Sequence, residues 1–354
     1  MKKIVLTGGG TAGHVTPNMA LIPLLKEAGY DILYIGSKNG IEKELIEKEG
    51  IAYKGISTGK LRRYMSIENL KDPVKIQHGH HEAIKILREY QPDIVFSKGG
   101  FVSVPVVGAA RRLKIPAITH ESDMTLGLAN KLNLPSVKKL CVNFPETAEG
   151  IKSSKVVVTG CPIRPALLTG TKEAGRKMSG LTGDKPVLMV IGGSLGAVAV
   201  NEAVREALPQ LLEKFQIVHI CGKGNVSEEH QGIEGYVQFD YIARGLKDLF
   251  ALADVVISRA GANAICELVA LKKPNLLIPL GTASSRGDQI LNAESFKKQG
   301  FSDVLLQEDI TSEILVERIC KVYDERENYI EKMKASSQGD SAKMIVELIK
   351  EYTL

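Results

Sequence analysis

The sequence contains no tryptophan, and aromatic residues make up only 5% of its 354 positions. A surface that stacks nucleic-acid bases needs exposed rings, so this shortage argues against one. No RNA- or DNA-binding signature is present either, and no nucleic-acid partner is expected. The five cysteines, Cys141, Cys161, Cys221, Cys266 and Cys320, are scattered and odd in number, with no CxxC spacing. That argues against a disulfide framework and a cysteine zinc site, and points to a reduced, cytosolic protein. No apolar run approaches the ~20 residues a membrane span needs. The first residues run straight into a strand and a glycine loop, so no signal peptide is expected. The histidine run His78-Gly79-His80-His81 has i, i+2, i+3 spacing. That spacing does not put three ligands on one helix face, so the run reads as a solvated helix segment.

What the chain does have, it has twice. The strand Lys3-Ile4-Val5-Leu6 runs into Gly8-Gly9-Gly10-Thr11-Ala12-Gly13-His14, and Pro186-Val187-Leu188-Met189-Val190-Ile191 runs into Gly192-Gly193-Ser194-Leu195-Gly196-Ala197. Further on, Asp93-Ile94-Val95-Phe96-Ser97-Lys98-Gly99-Gly100 is echoed by Asp254-Val255-Val256-Ile257-Ser258-Arg259-Ala260-Gly261. Leu113-Lys114-Ile115-Pro116 is echoed by Leu271-Lys272-Lys273-Pro274. The kept order and spacing imply a duplicated α/β domain, with catalysis in the cleft between two halves.

Strands are predicted at 3–7, 31–36, 93–97, 116–120, 138–142 and 155–159, and helices at 17–28, 40–49, 68–90 and 103–113. Segment 51–67 reads as irregular. The second half is predicted to place strands at 186–191, 216–221, 235–239, 254–258, 275–279 and 303–306. Its helices are expected at 198–214, 244–251, 261–271, 287–299 and 311–323, and an amphipathic helical tail at 324–352. Alternation of this kind implies parallel sheets with right-handed crossovers. Gly160-Cys161-Pro162-Ile163-Arg164-Pro165 reads as the linker, because closely spaced prolines stop regular structure. The expected domains are therefore 1–160 and 164–334, with a C-terminal helix over 335–354 returning to brace the first.

Charge is unevenly shared. Residues 1–163 hold 23 Lys/Arg against 15 Asp/Glu, a net +8, and residues 164–354 hold 23 against 26, a net −3. The basic half suits an anionic partner, with a membrane surface as one candidate.

A glycine loop between strand and helix lets backbone N–H groups approach an anion, and the helix N-terminus adds partial positive charge. The first loop lacks both the dinucleotide fingerprint and the Gly-Lys-Ser/Thr ending of a P-loop. It reads as a diphosphate-type site, with a tight packing turn as the plainer alternative. His14, at the helix N-terminus, is expected to be held neutral by the local positive potential, as a base or as a packing residue. Asn263 and Glu267 open a helix, and Glu267 suits a ribose or sugar diol. Arg286-Gly287-Asp288-Gln289 adds donors at the start of another helix. All these segments lie at the carboxyl ends of strands, where ligands collect in open α/β sheets.

Taken together, the glycine loops, Lys98-Gly99-Gly100-Phe101-Val102-Ser103-Val104-Pro105, His120-Glu121-Ser122-Asp123, Ser258-Arg259-Ala260-Gly261 and Arg286-Gly287-Asp288-Gln289 resemble the GT-B glycosyltransferases. Among these the chain is most similar, in order over nearly its whole length, to the undecaprenyldiphospho-muramoylpentapeptide N-acetylglucosaminyltransferases, which convert lipid I to lipid II. The stretches 35–40 and 59–64 resemble the Firmicutes-type branch of that family.

The resemblance implies two Rossmann-like domains separated by a deep cleft and an inverting transfer from UDP-N-acetylglucosamine to lipid I. It implies no metal and no cofactor, in keeping with the lack of an Asp-x-Asp pair near a strand end. The donor would meet Arg164 and Ser194 at its diphosphate, Ile242 and Ala262 at uracil, Asn263 nearby, and Glu267 at the ribose. Asp288 and Gln289 would take the sugar hydroxyls, with Thr11, Ala12 and Gly13 as further donor contacts. The acceptor diphosphate would lie on Gly9, Gly10, Gly13, Gly99 and Gly100. His14 would be the base, with Asp123 its rival, because many family members carry Asn there. The same resemblance implies a peripheral place on the cytoplasmic face of the membrane, with cell-wall synthesis or division proteins as partners. Another acceptor, epimerisation at C2 of the donor sugar, or a non-catalytic nucleotide-sugar sensor remain alternatives.

Overall fold

The computed structural model describes residues 2–59, 68–193, 196–242, 244–281, 287–336 and 340–353. Ser194, Arg286 and the basic segment Lys60–Met65 lie outside the described residues. The chain divides into two compact units, Met1–Arg164 with Ser337–Leu354, and Pro165–Ser336.

In the first unit the short apolar runs form seven strands: β1 (Lys2–Thr7), β2 (Tyr30–Ser37), β3 (Ala52–Ile56), β4 (Ile94–Ser97), β5 (Ala117–Glu121), β6 (Lys139–Val142) and β7 (Val156–Val158). They pair in parallel, in the order β3-β2-β1-β4-β5-β6-β7. The second unit contributes β8 (Val187–Ile191), β9 (Gln216–Ile220), β10 (Tyr236–Phe239), β11 (Val255–Ser258), β12 (Asn275–Leu277) and β13 (Asp303–Val304). Their order, β10-β9-β8-β11-β12-β13, repeats the same winding. In each sheet the winding reverses at its first strand, between β1 and β4 and between β8 and β11. These are the switch points at which doubly wound sheets bind ligands.

The sequence echoes do matching work in the two units. The Asp93 carboxylate accepts the Lys3 N–H at 2.6 Å, and the Asp254 carboxylate accepts the Val187 N–H at 2.8 Å. Each aspartate thus clamps the entrance of a switch-point strand to the start of the central one. Lys114 and Lys272, at matching positions of the other echo, both take the left-handed conformation, with φ of 60° and 55°. Each turns a helix into the next strand.

Period-two alternation sorts the first sheet into two cores. Ile4, Leu6, Tyr34, Ile94 and Phe96 face Leu21 and Leu25 of the helix Thr16–Glu27. Val5, Ile35 and Val95 face the opposite layer, with Leu87, Val106 and Ala110. Ala342, Ile345, Val346 and Ile349 of the terminal helix Ser341–Glu351 complete the first core. The Tyr30 and Thr353 hydroxyls bond across that contact at 2.6 Å.

Several expectations are corrected. Segment 51–67 contains a strand, β3, whose Lys54 and Gly55 mask the pattern because it is a half-exposed edge. The helix expected over 198–214 is two, Val198–Glu206 and Leu208–Lys214, the second opening with Pro209 in its first turn, where a missing N–H costs nothing. The tail is likewise two helices, Arg326–Lys334 and Ser341–Glu351. Of the histidine run, His78 and His81 are exposed, but His80 is half-buried with Nδ1 3.2 Å from the Pro105 carbonyl.

Candidate functional site

In the first unit the chain leaves β1 through Gly8, Gly9 and Gly10. A buried polar chain pins the start of this loop: the Tyr34 hydroxyl donates to the Gly8 carbonyl at 2.9 Å. The Asn18 amide donates to the Thr7 carbonyl at 3.1 Å and to Tyr34 at 3.2 Å. Glu42, fully buried, turns inward from the helix Ile41–Lys48. Its carboxylate accepts the Ser37 N–H at 2.9 Å, the Ser37 hydroxyl at 2.5 Å and the Gly10 N–H at 3.3 Å. A Cβ on Gly9 would stand 2.5 Å from that carboxylate, so any larger residue there would have to displace it.

Gly99 and Gly100, after β4, have φ of 81° and 77°. A Cβ on Gly100 would meet the Gly9 carbonyl at 2.6 Å and the His14 ring at 3.5 Å. Gly9, Gly10, His14 and Gly100 are therefore brought together, whereas Gly99 packs toward Asn130. A cavity of about 690 Å³ opens beside this loop, lined by Gly10, Thr11, Lys38, Asn39, Lys75 and Phe101 among others. His14, Gly9, Gly13, Gly99 and Gly100 adjoin Gly10 and Thr11 in the chain or in space but are not part of its lining.

The Thr11 hydroxyl is 2.8 Å from His14 Nδ1. Burial lowers the His14 pKa to about 4, with the Lys98 ammonium pushing the same way and the Glu42 carboxylate opposing it. The ring is neutral, as expected, with desolvation as the largest cause. A neutral ring that donates Nδ1–H to Thr11 keeps Nε2 as a proton acceptor.

Asp123 is half-buried in the loop after β5. Glu121 organises that loop: its carboxylate accepts the N–H groups of Ser122, Asp123 and Gly127 at 3.0, 3.3 and 2.8 Å, and the Asn130 amide at 3.0 Å. The Lys98 ammonium donates to the Ser122 hydroxyl at 2.5 Å and so ties the loop after β4 to the one bearing Asp123. His120, fully buried, donates Nε2–H to the Gly160 carbonyl at 2.9 Å, and burial holds its pKa well below the ordinary value.

In the second unit a cavity of about 570 Å³ lies at the β8–β11 switch point. Gly192, Gly193 and Gly196 line one side, with Ser258, Arg259 and Gly261 from the β11 end. Glu267 reaches it from the helix Ala262–Ala270, and Gln289 from the helix Asp288–Lys298, while Leu246 and Phe250 form an apolar wall. The volume is that of an ordinary small-ligand site, with an apolar wall and a few converging polar groups. Gln289 Oε1 accepts the Leu280 N–H at 3.0 Å, which aims its amide.

The second unit has a buried polar chain of its own at the end of β9. Asn201 donates to the Cys221 carbonyl at 2.8 Å, His219 Nε2 is 3.0 Å from Asn201 Oδ1, and His219 Nδ1 is 2.8 Å from the Tyr236 hydroxyl. As with Asn18 and Tyr34 in the first unit, an asparagine of the helix after the central strand meets a polar side chain of the next strand.

Glu267 and Gln289 are thus brought to one cavity. Ala262, Asn263, Ile242 and Asp288 lie on neighbouring segments but not in its lining, and Arg164 ends the first unit. Glu42, Lys98, Glu121 and Arg259 escape a reading of the sequence because each is a charged residue expected at the surface. For Lys98 the available signal was its place between a strand and two glycines. Arg259 is spent on structure: it donates to the Ile278 and Pro279 carbonyls and to Gln307 at 3.1, 3.2 and 2.7 Å. Among the described residues no His, Cys, Asp and Glu group is placed to hold a metal ion.

Two family models cover most of the chain. Residues 4–142 match the glycosyltransferase family 28 N-terminal domain, and residues 187–349 match the glycosyltransferase family 28 C-terminal domain. The chain belongs to glycosyltransferase family 28. As a family 28 member it has the two Rossmann-like parallel-sheet domains of GT-B glycosyltransferases and is a glycosyltransferase.

The UDP-N-acetylglucosamine--N-acetylmuramyl-(pentapeptide) pyrophosphoryl-undecaprenol N-acetylglucosamine transferase of Lachnospira eligens is 59% identical over 351 residues, covering 99% of each chain. The protein of the same name from Lachnoclostridium phytofermentans is 59% identical over 100% of both chains. Among solved structures, Acinetobacter baumannii MurG matches with a TM-score of 0.76 and 25% identity, over 99% of this chain and 100% of its own. A UDP-GlcNAc 2-epimerase from Neisseria meningitidis shares the fold, with a TM-score of 0.71 and 15% identity over 99% of this chain and 100% of its own.

Proposed function

We propose that this family 28 enzyme transfers N-acetylglucosamine from UDP-N-acetylglucosamine to undecaprenyl-diphospho-muramoyl-pentapeptide, lipid I, with inversion, giving lipid II for peptidoglycan synthesis. The observation that carries this is the end-to-end likeness, at 59% identity, to two transferases of that printed name. Cell-wall biogenesis, and with it cell shape and division, is the process served.

The second unit takes the donor. Glu267 and Gln289 share the switch-point cavity with the second glycine loop, which suits a ribose diol and sugar hydroxyls beside a diphosphate. Arg164, Ser194, Ile242, Ala262, Asn263 and Asp288 are the further donor contacts, joined by Thr11, Ala12 and Gly13. The first unit takes the acceptor, its diphosphate on Gly9, Gly10, Gly13, Gly99 and Gly100. The acceptor hydroxyl attacks the anomeric carbon, the bond from that carbon to the diphosphate oxygen breaks, and UDP leaves. The hydroxyl proton passes to His14, neutral and beside the loop, with Asp123 as the rival acceptor. Loop N–H groups and helix ends stabilise the departing charge, so no metal or cofactor is needed. The basic first half suits a peripheral seat on the cytoplasmic face of an anionic membrane.

The test is UDP release, followed with product mass, in the presence and absence of a lipid I analogue. Release that requires the analogue, with a mass gain of one N-acetylhexosamine, is expected. Acceptor-independent UDP release, or an epimerised sugar, overturns the reading.

A further inference from the structure

Lys98 stands at the end of β4, only 2% exposed. Its backbone N–H donates to the Thr7 carbonyl at 2.8 Å. Its Cβ lies 3.1 Å from where a Cβ on Gly8 would be, so the side chain packs against the first glycine loop. Among the described residues its ammonium bonds only the Ser122 hydroxyl, at 2.5 Å, and no carboxylate pairs with it. Burying an ammonium without a counter-ion is costly, and a hydroxyl does not neutralise it. The loop it packs against presents backbone N–H groups at a sheet switch point, a place built for an anion.

We propose that Lys98 is a positioning residue of this reaction, its buried ammonium serving as the fixed counter-charge beneath the first glycine loop for the diphosphate of the acceptor. The inference rests on the acceptor reading of the first unit. The loop N–H groups give the site its shape, and Lys98 gives it its sign. Glu42 packs against Gly9 and accepts the Gly10 N–H, while Lys98 packs against Gly8.

The ammonium also bears on the proton transfer. The charged groups that face His14 are Lys98, from the β4 end, and Glu42, from the helix Ile41–Lys48, with the Thr11 hydroxyl on Nδ1. Lys98 opposes protonation of the ring and Glu42 favours it. His120, on β5, feels the same ammonium.

The test compares the wild-type chain with Lys98→Met and Lys98→Arg, using UDP-N-acetylglucosamine and a lipid I analogue. Methionine keeps the length and the apolar stem, and an apolar replacement of a buried charge is commonly tolerated. The Met variant is expected to raise the acceptor KM about ten- to a hundredfold, the worth of one charge-assisted contact. The donor KM stays unchanged, and Lys98→Arg recovers most of the loss. By NMR the His14 ring titrates at higher pH in the Met variant, closer to the ordinary 6.5, a readout that needs no activity. Inorganic pyrophosphate competes with acceptor in the wild type and loses that competition in the Met variant. An unchanged acceptor KM together with an unmoved His14 titration overturns the proposal and leaves the transfer reading standing. Absence of acceptor-dependent UDP release in the wild type overturns the reading itself. Should Lys98→Met not fold, Lys98→Gln replaces it. Failure of both to fold makes the ammonium a structural element and overturns the proposal.

Discussion

A neutral imidazole between a buried acid and a buried ammonium is an unusual surrounding for a residue at the edge of a cavity. His14 must be uncharged to accept a proton, so the rate falls as pH drops through its folded pKa. That value is about 4, below the ordinary 6.5. The acid limb of kcat/KM, which reports the free enzyme, is therefore expected well below pH 6.5. His14→Ala should lower kcat by roughly 10²–10⁴, the usual worth of a positioned base, with donor KM nearly intact. Asp123→Asn should be mild by comparison. A near-normal rate for His14→Ala beside a collapsed rate for Asp123→Asn, both at saturating donor, reverses the assignment. In the second unit, Glu267→Ala should raise the donor KM, since a charged hydrogen bond to a diol is worth about 1.5–3 kcal/mol. An unchanged donor KM removes Glu267 from the site.

At the scale of elements, the two units share a buried polar pair. In each, an asparagine on the helix after the central strand meets a polar side chain on the next strand, and in the first unit the pair also holds the Thr7 and Gly8 carbonyls at the glycine loop. In the first unit these are Asn18 and Tyr34, and in the second Asn201 and His219. The terminal helix is an element of a different kind, remote in sequence from the sheet it covers. Ile345 is fully buried in the first core, so Ile345→Ala should destabilise the protein by about 2–5 kcal/mol through lost burial and a residual cavity. Differential scanning calorimetry measures this. A change within about 0.5 kcal/mol contradicts the packing assigned to this helix.

At the scale of the whole molecule, the charge asymmetry is the feature with a physical consequence. A net +8 lies in residues 1–163, and among the described residues no helix is long and apolar enough to cross a membrane. Attachment driven by such charge is screened beyond ~10 Å at 0.1 M salt. Binding to vesicles containing anionic lipid should therefore weaken as salt rises, in a flotation assay. Equal binding to neutral vesicles contradicts an electrostatic seat.

The sequence by itself determined the duplicated order of strands, the placement of both glycine loops at strand ends, and the candidacy of His14, Glu267 and Gln289. These are local properties: strand and helix periods, and the backbone freedom of glycine, are written in neighbouring residues. Tertiary structure alone decided which charged residues are inside. Glu42 sits in a segment whose composition, Ile-Glu-Lys-Glu-Leu-Ile-Glu-Lys, reads as a solvated helix. Its burial depends on Ser37 and Gly10 arriving from other elements. Lys98 lies in a legible motif, yet its want of a carboxylate and its contact with the first loop arise only when β1, β4 and β5 come side by side. The edge strand β3 was hidden for the related reason that half its residues face solvent. Desolvation is a property of the surroundings of a residue and not of the residue, so the electrostatics of the site became visible only in the fold.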